Sequence, residues 1–244
     1  MRLGLALRAI ADLVMPRFCA VCGEKLILKE EHICTFCKAD MPLCRFEGMR
    51  ENPMAQKYNE LISKSADYQP YGYAASLFYY IDDYRKIPQA VKYRRNFALG
   101  RYYGAMLGEK MAESPLWADV DIVIPVPLHW TRRWRRGYNQ AEVIVRGISK
   151  NVRTDILRRV RRTKTQVHLH RDDRYANVRT AFSANPQKLK EPLRHILLVD
   201  DVFTTGATLC ACEHAIRTAL VEAVGAEKAA KVRISIATLA CVRH

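Results

Sequence analysis

Long uncharged apolar runs are missing from this sequence. Its most apolar opening stretch, Met1 to Met15, is broken by Arg8 and Asp12 well before the roughly 18 residues a membrane span needs, and no small-residue cleavage site follows. A span is therefore not expected, and neither is secretion. Leu3, Leu7, Ile10 and Val14 recur at helical spacing, which predicts a short amphipathic helix packed on the protein. No repeat of 20–50 residues is visible, which argues against a solenoid. Acidic charge is scarce: 25 Asp and Glu face 40 Lys and Arg, a formal charge of +15 that favours phosphates, nucleic acid or anionic lipid as partners. The low hydrophobicity of disordered chains is also absent, since apolar types make up 49% and charged types 27%.

Without secretion, the eight cysteines are expected as thiols or metal ligands in a reducing, cytoplasmic setting. Cys19-Ala-Val-Cys22 and Cys34-Thr-Phe-Cys37 form two CxxC knuckles, and two thiolates from each tight turn can reach one ion. The spacing predicts a closed, structural Zn2+ site on Cys19, Cys22, Cys34 and Cys37. Cys44 and His32 are substitute ligands of lower rank. Cys210, Cys212 and Cys241 sit among apolar residues and are expected as buried thiols. A module of this kind either touches nucleic acid or braces a neighbour, and the sequence leaves both open.

The chain divides into residues 1–46 with the helix and zinc finger, a connector over 47–72, and a main domain over 73–244. The connector is expected to carry a short helix around Tyr58 to Ser63. After a β-prone stretch from Tyr73 to Tyr80 comes one helix from Ala90 to Met111. Strands then alternate with helices: Ile122 to Val126, helix Gln140 to Ile148, a strand near Ile156 to Val160, Ile196 to Val199, helix Ala207 to Val221, and Val232 to Leu239. This alternation predicts an α/β fold with a mainly parallel sheet flanked by helices. Residues 224–231 show no evident role.

The most informative stretch runs from His195 to Leu209. Four apolar residues fit a central strand, after which Asp200 and Asp201 fall at its carboxyl end, where open α/β sheets place ligands. Thr204, Thr205, Gly206, Ala207 and Thr208 then open a helix. Such a loop aims backbone N–H groups and hydroxyls at one phosphate, while Gly206 permits close approach. A carboxylate pair beside an anion cup suits a sugar phosphate.

These residues, Asp-Asp-x-x-Thr-Thr-Gly-x-Thr, resemble the phosphoribosyl pyrophosphate signature of type I phosphoribosyltransferases. The resemblance implies that Asp200 and Asp201 engage the ribose hydroxyls, that Thr204 to Thr208 hold the 5′-phosphate, and that Mg2+ accompanies the ligand. Asp121 to His129, with Arg132, Arg133 and Arg136-Gly-Tyr-Asn-Gln-Ala141, resembles the ComF family of competence-associated proteins, as does the finger ahead of a transferase-like region. Related transferases place their pyrophosphate loop where Val126 and Pro127 stand. Lys92, Arg132, Arg133 and Arg136 are expected to neutralise pyrophosphate oxygens. Arg162 and Lys164, in a stretch resembling a mobile hood that ends near Arg179, are the catalytic candidates.

Two function classes follow. One is an enzyme displacing pyrophosphate from the sugar by an unidentified nucleophile, or a sensor using the same pocket without turnover. The other, implied by the ComF resemblance, is a factor serving the DNA-uptake machinery in natural transformation and acting on single-stranded DNA. Trp130, Trp134 and Tyr138, interleaved with arginines, are either stacking platforms for that strand or core residues.

Overall fold

A computed structural model describes residues 15–63, 70–149, 151–161 and 180–243. Its centre is a four-stranded parallel sheet in the order β1, β6, β5, β2, formed by β1 (Ala74–Tyr79), β2 (Ile122–Pro125), β5 (His195–Phe203) and β6 (Arg233–Cys241). Alternation along the strands explains how both faces are filled. Ile196 and Leu198 turn to one core while Leu197 and Val199 turn to the other, and β6 divides Ile234 and Ile236 from Ala237 and Leu239 in the same way.

One core is closed by α2 (Pro53–Ser63) and α7 (Ala207–Val224), with a separate antiparallel pair, β3 (Leu157–Arg159) and β4 (Phe182–Ala184). The other is closed by α3 (Lys86–Tyr93), α4 (Phe97–Ala112) and α6 (Gln140–Ile148), and by the cysteine module, which includes α1 (Thr35–Ala39). A short α5 (Trp130–Arg136) leads into α6, and α8 (Ala226–Lys231) precedes the last strand.

Several expectations change. The single helix expected from Ala90 to Met111 is two helices, because Arg95 takes a left-handed φ of 52° and Asn96 starts afresh, its side chain accepting the Leu99 N–H at 3.0 Å. The strand expected to stop at Val199 continues to Phe203, so Asp200 and Asp201 lie within it, with Asp200 paired to Thr238. The strand near Ile156 to Val160 joins the small antiparallel pair rather than the central sheet. Residues 226–231 are helical: Ala229 is buried and its carbonyl accepts from the Arg217 guanidinium at 2.7 Å. Within the expected connector, α2 buries Met54, Ala55, Tyr58, Leu61 and Ile62. Among the described residues no helix is long and apolar enough to cross a membrane. The expected N-terminal helix lies outside the described residues.

Candidate functional site

Parallel pairing brings the carboxyl ends of β2 and β5 together, with Pro125 opposite Val199 and the Val126 N–H on the Val199 carbonyl at 2.8 Å. The loop after β2 is held from the other side by Asn139. Its amide donates to the Val126 carbonyl at 2.9 Å, and its oxygen accepts the Ala141 N–H at 3.1 Å, capping α6. Val126 is thereby buried and Pro127 stands half-buried at the rim.

On the same rim the Lys92 ammonium lies 2.5 Å from Asp201 Oδ2. Asp201 Oδ1 accepts the Val202 N–H at 3.0 Å, and Asp200 Oδ1 accepts the Asp201 N–H at 2.8 Å. Burial, then the neighbouring Asp201 carboxylate, push the Asp200 carboxyl up to about 8 against the pull of Lys92. Two adjacent carboxyls, one of them holding an ammonium, form an oxygen donor set that fits a hard divalent cation or sugar hydroxyls once Asp200 gives up its proton. Beyond the strand, Thr204 and Thr205 are exposed, and Gly206 starts α7 with a φ of 79° and no side-chain cap. The first N–H groups of an 18-residue helix thus meet the loop. Arg136 lies over the Tyr93 ring at 5.0 Å, next in sequence to Lys92, and donates to Gln140 Oε1 at 3.0 Å.

Arg133 departs from its expected place on pyrophosphate: its guanidinium is committed to Glu142 at 2.6 Å. Tyr138 is half-buried, its hydroxyl donating to the Val91 carbonyl, whereas Trp130 and Trp134 are 70% and 86% exposed. Core packing is thus excluded for the two tryptophans.

At the other end of the chain, Cys19, Cys22, Cys34 and Cys37 gather with all four sulfurs within 4.8 Å of one another, Cys22 and Cys34 being 3.8 Å apart. Metal–sulfur bonds of about 2.3 Å in a tetrahedron give edges of about 3.8 Å, so the cluster fits one ion. Burial raises the Cys19 thiol, but N–H groups of Cys34, Cys22 and Val21 more than offset it and bring it to about 7. Burial and the neighbouring sulfurs push Cys37 up instead. Thiols as close as Cys19 and Cys37, pushed in opposite directions, are what a bound cation relieves. The substitutes are placed elsewhere: Cys44 lies 3.4 Å from Cys241, and His32 packs edge-on against Tyr102. Lys86 donates to the Val21 carbonyl and Tyr84 to that of Cys37, so the module braces the main sheet's flank.

No family model matches the chain. It is 29% identical over 202 residues to Competence protein F of Haemophilus influenzae, covering 78% of this chain and 86% of that one. It is 26% identical over 210 residues to DNA utilization protein YhgH of Escherichia coli (strain K12) and of Shigella flexneri, covering 81% of this chain and 89% of each. Both similarities extend over most of the chain and support the ComF resemblance read from the sequence.

Asp200, Asp201, the Thr204–Thr208 loop, Val126, Pro127, Lys92 and Arg136 come to one end of the sheet. The catalytic candidates Arg162 and Lys164 lie outside the described residues. Arg159, the last residue of β3, stands in the sequence only as one member of a basic cluster with Arg153, Arg158, Arg161, Arg162 and Lys164. Burial, then Arg132, pull its guanidinium down, while Cys212 and Asp200 hold it up, so it belongs to the same neighbourhood. Its place at a strand end leading into the hood-like stretch was the available signal.

Proposed function

We propose that the chain is a ComF family protein that binds phosphoribosyl pyrophosphate with Mg2+ on the rim of its sheet, in a cytoplasmic role serving DNA uptake. The DNA half of the reading is supported by the relatives' names, one a competence protein and others DNA utilization proteins. The observation that carries the ligand half is the Asp200–Asp201 pair, with Lys92 at 2.5 Å from Asp201, directly ahead of the start of α7 at Gly206, which has no capping side chain of its own. N–H groups and hydroxyls from Thr204 to Thr208 would hold the 5′-phosphate, and the two carboxyls would accept the ribose hydroxyls. Lys92, Arg136, Arg132 and Arg159 would face the pyrophosphate, with the Val126–Pro127 loop shaping its seat. Mg2+, when bound, would screen the charge of the leaving group. Zn2+ on the four cysteines is the structural partner, closing the module without an open position.

Arg162 and Lys164 remain the candidates to close over the ligand. Turnover as a metabolic phosphoribosyltransferase, or sensing without turnover, would use the same groups. Calorimetry with phosphoribosyl pyrophosphate should show binding that requires Mg2+. Asp200→Asn and Thr205→Val should each raise the dissociation constant about ten- to hundredfold while melting stays near wild type. If both folded variants bind as tightly as wild type, the reading fails. A product assay with nucleobases, ammonia and single-stranded DNA as acceptors separates enzyme from sensor.

A second observation favours a nucleic-acid surface beside this site. Trp130 and Trp134, one helical turn apart on α5 and both exposed, stand among Arg132 and Arg135. Trp134→Ala should leave stability within about 0.5 kcal/mol. It should weaken single-stranded DNA binding about tenfold, by loss of one stacking platform. Fluorescence titration with an oligonucleotide reads this directly, and unchanged affinity would remove α5 from the interface.

A further inference from the structure

Both oxygens of Asp201 are engaged in the free protein. Oδ1 takes the Val202 N–H, and Oδ2, which solvent does not reach, faces the Lys92 ammonium at 2.5 Å. The Asp201 side chain is 5% exposed and that of Lys92 is 26% exposed. Lys92 therefore covers the carboxylate from the solvent side. Asp200, by contrast, is half-buried, and its neighbour's backbone N–H takes one of its oxygens. A ligand arriving at the rim meets the ammonium before it meets Asp201.

We propose that Lys92 is a displaceable plug: it occupies the cation position on Asp201 in the free protein, and an arriving polyanion draws it off, opening Asp201 to the ligand. An ammonium on a four-carbon stem is suited to such a move, since it trades one anionic partner for another without changing the backbone. The charge balance favours it. A divalent cation arriving alone would have to settle beside an ammonium already in place, with Arg136 and Arg132 near the same rim, and that repulsion keeps it out. A polyanion carrying the cation with it compensates Lys92 and delivers the replacement charge together. Each ligand then favours the other, and the coupling is reciprocal. The inference rests on the phosphoribosyl pyrophosphate reading for the identity of the ligand, but not for the exchange itself.

The test uses Mn2+ alone, titrated into the full chain and followed by water-proton relaxation, in wild type, Lys92→Gln and Lys92→Arg. Lys92→Gln should bind Mn2+ about tenfold tighter than wild type, and Lys92→Arg should remain as weak as wild type. Equal or weaker Mn2+ binding by a folded Lys92→Gln overturns the proposal. Removing the ammonium strands a buried carboxylate, so thermal melting is recorded first. If that variant does not fold, wild type with 15N-labelled lysine decides. The Lys92 ammonium resonance should shift when inorganic pyrophosphate and Mg2+ are added to millimolar concentration, and an unmoved resonance overturns the proposal. Failure to bind phosphoribosyl pyrophosphate, with both signals present, would sink the ligand assignment and leave the plug standing.

Discussion

At Gly206 the backbone turns left-handed, with a φ of 79°, and a Cβ placed there would meet Leu61 Cδ1 at 2.9 Å and the Phe203 ring at 3.0 Å. Leu61 ends a flexible side chain, but Phe203 is 1% exposed and has little room to yield. Gly206→Ala should therefore cost about 1–3 kcal/mol, read as a lowered urea midpoint, and should weaken sugar-phosphate binding by tilting the helix start. His195 shows a different dependence on its surroundings. It is fully buried, with Nδ1 on Asp119 at 2.7 Å and Nε2 on Ser235 at 2.6 Å, and burial lowers its pKa more than Asp119 holds it up. The unfolded chain then takes up a proton that the folded chain refuses. Stability is fully present above pH 6.5 and declines as pH falls through that value towards the folded pKa. Urea midpoints at pH 7.5 and 5.5 should differ in wild type, and His195→Gln should flatten this decline; an equal decline in the variant would assign it to other groups. The Asp-Asp and Thr-rich motif was legible in the sequence, because its residue types are themselves the chemistry. Arg159 was not, since a strand expected near Ile156 to Val160 does not say which of its arginines turns towards Asp200.

Among the elements, α4 and α6 lie close because glycines face backbone. A Cβ at Gly104 would strike the Ile144 carbonyl, and one at Gly147 the Arg101 carbonyl. Apolar periodicity located α6 from Gln140 to Ile148 but says nothing about which partner its glycines admit. It also ran two helices into one across Arg94 to Asn96, since the apolar positions on either side share a helical period and the break comes from a single left-handed residue. The cysteine module is held by its knuckles yet shares the main core, burying Val21, Leu26 and Ile33 against the flank of the sheet. Uncovering those three costs about 1.5–3 kcal/mol each, and for a chain of this size each kcal/mol is about 2–4 °C of melting temperature. A strong chelator should release one equivalent of zinc per chain and lower the melting midpoint by at least about 10 °C. Cys34→Ser should arrive without metal and melt at the lowered midpoint. No zinc in the purified protein, or full retention in Cys34→Ser, would reject the site.

For the whole molecule, the formal charge of +15 sets a field that attracts polyanions before any specific contact forms. If α5 meets single-stranded DNA through three phosphates, log affinity should fall against log salt with a slope of about −2, at about −0.7 per contact. A flat response would mean that the basic excess is not the contact surface. Composition, knuckle spacing and alternating strand patterns determined the fold class, the four-cysteine cluster and the rim motif, because each is a property of residues close in sequence. The tertiary structure alone decided that Lys92 covers Asp201, that Arg133 is spent on Glu142, and that Asn139 pins the loop at Val126. Each of these joins side chains or backbone on different elements. Such pairings are chosen by how strands register and helices pack, and no spacing along the chain encodes them.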